Sequence, residues 1–225
     1  MIIPLFEDNH LLVLNKPPGL LTQPSGTDQD SLEQQAKAWI KTIYHKPGHV
    51  FLQAVHRLDK PVSGIVIFAK TSKALSRLNA SMRAKQISKT YWAWVEGSID
   101  SDGGILEHWL VHDEFHAKRV ESDHPEGKVA RLTYQVLQRK KGRTLLQIEL
   151  ATGRYHQIRL QFSASGHPVW GDRKYGGTQQ YMPDAIALHH RCLQLPHPIS
   201  QTWLMVEAPP PTAFMALAQD ENFIL

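Results

Sequence analysis

Apolar positions follow two rhythms along the chain. Leu11-Leu-Val-Leu-Asn15 is a short apolar run stopped by Lys16-Pro-Pro-Gly19, and reads as a strand ending in a turn. Leu32, Ala36, Trp39, Ile40 and Ile43 recur at helical spacing, after N-cap candidates at positions 28–31 and before a break at His45-Lys-Pro-Gly48. Ile65-Val-Ile-Phe-Ala69 has the β-branched and aromatic content of a buried strand. Thr71 or Ser72 can then cap a helix with Leu75, Leu78 and Met82 on its inner face. Residues 90–95 alternate and are aromatic, as in a strand. Residues 131–137 and 144–150 read as a hairpin turning at Lys140-Lys-Gly-Arg143. A helix is expected over 155–164, ending near Gly166, and one short amphipathic segment follows Pro209-Pro-Pro211.

Strands and helices mix without a strict βαβ rhythm. The fold expected is α/β of the α+β kind, a mixed and largely antiparallel central sheet with flanking helices. There is no repeat and no linker long enough to divide the 225 residues, so one domain spanning 1–225 is expected. Hydrophobic residues at 42% and charged residues at 20% exclude a disordered or fibrous chain. The single cysteine, Cys192, excludes an intrachain disulfide and a cysteine-based zinc site. The start lacks the look of a secretory or transit segment, and no apolar run approaches membrane-helix length, so a cytoplasmic protein is expected.

The net charge of +4 makes nucleic acid a reasonable partner, and the distribution says more. No acidic residue falls between Asp59 and Glu96, where Lys60, Lys70, Lys73, Arg77, Arg83, Lys85 and Lys89 lie. A second basic stretch includes Lys128, Arg131, Arg139, Lys140, Lys141, Arg143, Arg154, Arg159, Arg173 and Lys174. Two such blocks form one phosphate-binding face if the fold joins them, or only a solvated helix face and a charged hairpin if it does not.

Three blocks combine polar, small and aromatic residues in ways a core does not require. His56-Arg-Leu-Asp-Lys-Pro-Val-Ser-Gly64 is a tight polar loop feeding a buried strand, a favoured place for catalytic groups. The others are Lys89-Thr-Tyr-Trp-Ala-Trp-Val-Glu-Gly97, and Ala151-Thr-Gly-Arg-Tyr-His-Gln-Ile-Arg159 with Gly171-Asp-Arg-Lys-Tyr-Gly176. Taken singly, Asp59 reads as a cap or surface ion pair, Tyr91 as core and Arg154 as a helix-start residue.

Taken together, these blocks resemble the RluA-type family of pseudouridine synthases. The likeness runs from Asn15-Lys-Pro-Pro-Gly-Leu-Leu-Thr-Gln-Pro24 to Leu188-His-His-Arg-Cys-Leu-Gln-Leu-Pro-His-Pro198, with the H-R-L-D, K-x-Y and T-G-R-x-H-Q-I-R motifs in the family's order. One departure is Val62, where many relatives carry Thr. Another is that the pattern starts almost at Met1, so the small N-terminal RNA-binding domain of many relatives is not expected.

The resemblance implies that a uridine in ribosomal or transfer RNA loses its C1′–N1 bond and is rejoined through C5. It implies a catalytic cleft in a pseudouridine synthase fold, no cofactor or metal, no obligate protein partner and a monomer. Asp59 looks like the essential aspartate, whether it attacks ribose or base or removes a ribose proton. By the same likeness Arg154 pairs with that carboxylate and keeps it ionised. Tyr91 looks like the tyrosine that stacks on uracil and takes part in the loss of the C5 proton. Arg57 resembles the residue that fills the gap left by the flipped base. His56, Lys89, His156 and Arg159 are expected to contact RNA, and Leu58 and Leu188 to wall the uracil.

Rival readings are a metal enzyme, a glycosidase and an RNA-binding protein without chemistry. His108, His112 and His116 are four apart and would share one face of a helix, although no H-E-x-x-H pattern accompanies them. A glycosidase needs two facing carboxylates, and Asp172 is the other conspicuous acid in the motif set. Binding alone does not require Asp59, Tyr91 and Arg154 together.

Overall fold

The computed structural model describes residues 2–114 and 116–219. The chain forms two compact units, Met1–Lys89 with His190–Pro210, and Thr90–His189 with Pro211–Leu225.

The first unit opens with β1 (Pro4–Glu7) and β2 (Leu11–Lys16), an antiparallel pair. Helix α1 (Leu32–Ile43) starts at Ser31, whose Oγ accepts the Gln34 N–H and donates to the Gln34 side-chain oxygen. The Ser31 N–H goes to Asp30 Oδ1 at 2.7 Å, so Ser31 is the N-cap among the candidates at positions 28–31. The short β3 (Gln53–Ala54) pairs with β4 (Ser63–Ala69), which also runs antiparallel to β2 with Lys16 opposite Gly64. Every residue of β4 is buried, and from Ile65 to Ala69 its sequence is continuously apolar rather than alternating. Helix α2 (Ser72–Arg83), capped by Thr71, lays Ala74 and Leu78 on alternate residues of the strands, Leu11, Val13, Ile65 and Ile67.

The second unit carries β5 (Ser88–Glu96), β6 (Gly103–Asp113), β7 (His116–Val120), β8 (Lys128–Lys140) and β9 (Arg143–Leu150). They lie in the order β5-β9-β8-β6-β7, each pair antiparallel. Helix α3 (Gln157–Ala164) packs on β6 and β7. It begins two residues later than the pattern predicts, because His156 is left-handed at φ 52° and no helix runs through that conformation.

The chain then enters β10 (Leu188–Pro196), which lies beside β4 in the first unit and pairs antiparallel with β11 (Trp203–Glu207). The segment after the prolines is α4 (Thr212–Ala216), where the Phe214 carbonyl accepts the Trp94 indole N–H at 3.0 Å and its ring packs with Trp94, Leu145 and Ala187. No helix among the described residues is long and apolar enough to cross a membrane.

The three spaced histidines are not on a helix. His108 and His112 lie on β6 and His116 opens β7. Gly103 and Gly104 start a strand with only one covered face, so its mixed residues carry no clean helical or strand period. Among the described residues no three His, Cys, Asp or Glu side chains gather as metal ligands.

Candidate active site

Asp59 sits in the loop between β3 and β4, and the N-terminal block grips the main chain on both sides of it. On one side, Thr22 Oγ1 donates to the Leu58 carbonyl at 2.9 Å and accepts the Leu58 N–H at 3.1 Å. On the other, the Lys60 carbonyl accepts from the Gly19 N–H at 2.9 Å and from Lys16 Nζ at 3.0 Å. The Asp59 carbonyl accepts the Val62 N–H at 3.0 Å, closing the turn. Asp59 itself is half-buried and Arg57 is exposed, whereas Leu58 and Val62 are buried, so the departure at 62 places an apolar residue in an apolar position.

Lys16 is fully buried, and its Nζ also donates to the carbonyls of Pro17 at 3.0 Å and Leu20 at 2.7 Å. Burial pushes its pKa down to about 7, and the charge of Asp59 pulls it back up. An ammonium has three N–H donors for these three carbonyls, and a neutral amine has two. The hydrogen bonding therefore favours the charged form against desolvation.

His56 starts the loop from within the unit. Its Nε2 accepts the Ile67 N–H at 3.3 Å, so the ring proton belongs on Nδ1. Its edge meets the ring of His190 at 5.4 Å, and His190 Nδ1 donates to the Ile65 carbonyl at 2.7 Å. Burial, then the neighbouring His190 and Lys89, hold the His56 pKa well below the usual range. Lys89 is half-buried, and desolvation lowers its pKa too.

In the second unit Tyr91 is a buried residue of β5, opposite Ile148 on β9. Leu188 is the buried first residue of β10. The T-G-R stretch is organised by Gln157, whose Oε1 accepts from Thr152 Oγ1 at 2.8 Å and the Arg154 N–H at 2.9 Å. The exposed Arg154 donates from Nε to the Val129 carbonyl at 2.9 Å.

Two residues expected at RNA turn inward. Arg159 makes a bidentate pair with Asp172, Nε to Oδ2 at 2.6 Å and Nη2 to Oδ1 at 2.8 Å, with both side chains at most 5% exposed. Its guanidinium lies 5.0 Å from the Tyr175 ring centroid. The Tyr175 hydroxyl accepts the Ala117 N–H at 3.0 Å and shares a hydrogen bond of 2.7 Å with His156 Nδ1. Burial, then the positive Arg159 and Lys174, push the His156 pKa down to about 3. Spacing gives no sign of these inward partners, since Asp172 and Tyr175 lie in a different motif from the residues they hold. Lys16 and Thr22 are the site residues that motif reading left without a role. The available signal was a lysine and a threonine flanking Pro-Pro-Gly, a stretch rich in carbonyls and poor in N–H donors.

The basic blocks are partly committed to such contacts. Lys70 pairs with Glu7 and Arg77 donates to the Pro198 carbonyl, leaving Lys73, Arg83 and Lys85 exposed on and after α2. In the second block Arg131 pairs with Glu107 and Arg139 with Asp102.

The sequence profile of RNA pseudouridylate synthase matches residues 10–164. The chain belongs to this family. The synthase is 35% identical over 205 residues to the dual-specificity RNA pseudouridine synthase RluA of Pasteurella multocida, covering 90% of each chain. It is 36% identical over 229 residues to the ribosomal large subunit pseudouridine synthase D of Pseudomonas aeruginosa, covering 95% of this chain and 69% of the relative. The RNA pseudouridine synthase YhcT of Bacillus subtilis is 35% identical over 209 residues, covering 92% and 68%. The solved human RNA pseudouridylate synthase domain containing 4 shares the fold, with a TM-score of 0.79 at 23% identity over 94% of this chain and 90% of that one. The synthase is thus an isomerase that converts uridine in RNA to pseudouridine.

Proposed function

We propose that the synthase acts on specific uridines of ribosomal RNA, transfer RNA or both, with Asp59 as its catalytic carboxylate. The observation that carries this reading is the loop itself. A half-buried carboxylate stands between two main-chain clamps, Thr22 on Leu58 and Lys16 on Lys60, beside a buried ammonium. Catalytic groups need such restraint, because a small misplacement costs large factors in rate. The exposed Arg57 next to it is suited to enter the space a flipped base leaves. Tyr91 stacks on the uracil and serves the C5 proton, Arg154 supports the carboxylate, and Leu58 and Leu188 offer apolar walls. Lys89 contributes positive charge toward the RNA, while His56, His156 and Arg159 support RNA binding through the segments they brace. The whole of 1–225 acts as one catalytic domain and a monomer in the cytoplasm, with no cofactor and no obligate protein partner.

The reaction conserves every atom. The C1′–N1 bond breaks, the uracil turns, a C1′–C5 bond forms, and the proton lost from C5 is matched by one gained at N1. The test maps pseudouridine by carbodiimide-dependent reverse-transcription stops in a strain lacking the gene, complemented with wild type or Asp59→Ala. A stop restored only by wild type supports reaction and residue together. A stop restored by Asp59→Ala removes Asp59 from the chemistry, and free uracil as the product would make the enzyme a hydrolase.

A further inference from the structure

Beside the T-G-R stretch three rings run from surface to interior. His112 on β6 is exposed, Tyr155 is half-buried and His156 is buried. The His112 and Tyr155 centroids are 4.1 Å apart, and Tyr155 stacks on His156 at 3.8 Å with 22° between planes. The inner end is fixed in depth: His156 is bonded to Tyr175, Tyr175 to the main chain of Ala117, and Arg159, over the Tyr175 ring, to Asp172. Burial holds His156 neutral, so Tyr155 rests on an uncharged ring.

We infer that the outer face of His112, backed by Tyr155 and His156, is a stacking platform for an unpaired nucleobase of the substrate RNA, apart from the uridine that reacts. This rests on the proposed action on RNA and names a second point of contact. Packing does not call for a ring at the exposed end of the run, since a solvent-facing imidazole buries little. A nucleobase does call for it. Aromatic faces bind bases of any identity, and a ring already held in place loses little freedom on binding. The exposed Arg119 supplies positive charge for a flanking phosphate, while Lys118 is engaged by Asp113. Tyr155 occupies the position that the T-G-R-x-H-Q-I-R pattern leaves open, between Arg154 and His156.

The test compares wild type, His112→Ala and His112→Phe as full chains, on the RNA that mapping identifies and on a single-stranded RNA 2-aminopurine probe. The expected result for His112→Ala is a KM raised about tenfold, as for loss of one stacked base, with kcat and the salt dependence unchanged. His112→Phe keeps wild-type KM, both variants keep the wild-type melting temperature, and quenching of the probe is lost in His112→Ala alone. An unchanged KM in His112→Ala overturns the inference. So does an equal loss in both variants with a shallower salt dependence, which would make His112 a charge contact. If wild type itself forms no pseudouridine, the proposed function fails, and the probe quenching still reads the platform by itself.

Discussion

Thr22 and Leu58, 36 residues apart, exchange two hydrogen bonds, the threonine hydroxyl donating to the leucine carbonyl and accepting from its N–H. Both residues are buried, so the groups have no water to fall back on. The pair fixes the residue next to Asp59 without touching the carboxylate. Thr22→Val keeps the shape, removes both bonds and strands two main-chain groups, which costs about 1–3 kcal/mol for each buried group left unsatisfied. Thermal unfolding should move down by several degrees, and kcat should fall more than KM rises. A variant with wild-type kcat would show that the clamp does not position the loop.

Lys16 makes a pH prediction in which stability and activity move in opposite directions. Its folded pKa of about 7 lies below the ordinary 10.5. Below pH 7 it is protonated in both folded and unfolded chains and adds no pH dependence. Between 7 and 10.5 the unfolded chain holds a proton that the folded chain lacks, so the Lys16 contribution to stability rises with pH in that window. Over the same rise, the positive charge beside Asp59 and the third hydrogen bond to the loop are lost, and kcat/KM should fall. Titration of the Lys16 side-chain resonances by NMR checks the premise, and a pKa near 10.5 would sink it.

Arg159 and Asp172 should behave as a buried pair whose halves need each other. Asp172→Asn or Arg159→Ala leaves an uncompensated charge and should destabilise by about 3–5 kcal/mol. An apolar double replacement at both positions should recover much of this in a thermal or denaturant cycle. If each single variant melts like wild type, the pair is solvated in solution and His156 is less firmly backed than its contacts imply.

Gly64 cannot be replaced. Its φ is +115°, and a Cβ there would lie 2.4 Å from the His190 carbonyl oxygen and 2.5 Å from its nitrogen. Both are main-chain atoms, so no side-chain rotation relieves the clash. Gly64→Ala should push β4 away from β10 and yield little soluble protein at 37 °C. Normal yield and melting would mean that the two strands have slack there.

The local pattern of the chain was enough to locate α1, α2, β2, β4, β5 and the hairpin of β8 and β9, because each has a clear period and its own turn or cap. It was also enough to identify the family, since H-R-L-D, K-x-Y and T-G-R-x-H-Q-I-R are contiguous words whose order survives without coordinates. The strands β6 and β7 escaped it, because strands with one covered face, at and next to the sheet edge, mix polar and apolar residues and leave no clean period. Only tertiary structure decided which motif residues face inward. Lys16 reads as a turn lysine and Arg159 as an RNA contact until the three carbonyls and the Asp172 carboxylate that receive them are in place. Hydrogen-bond partners so distant along the chain are chosen by packing in three dimensions, and a linear pattern carries the residue types but not their pairing.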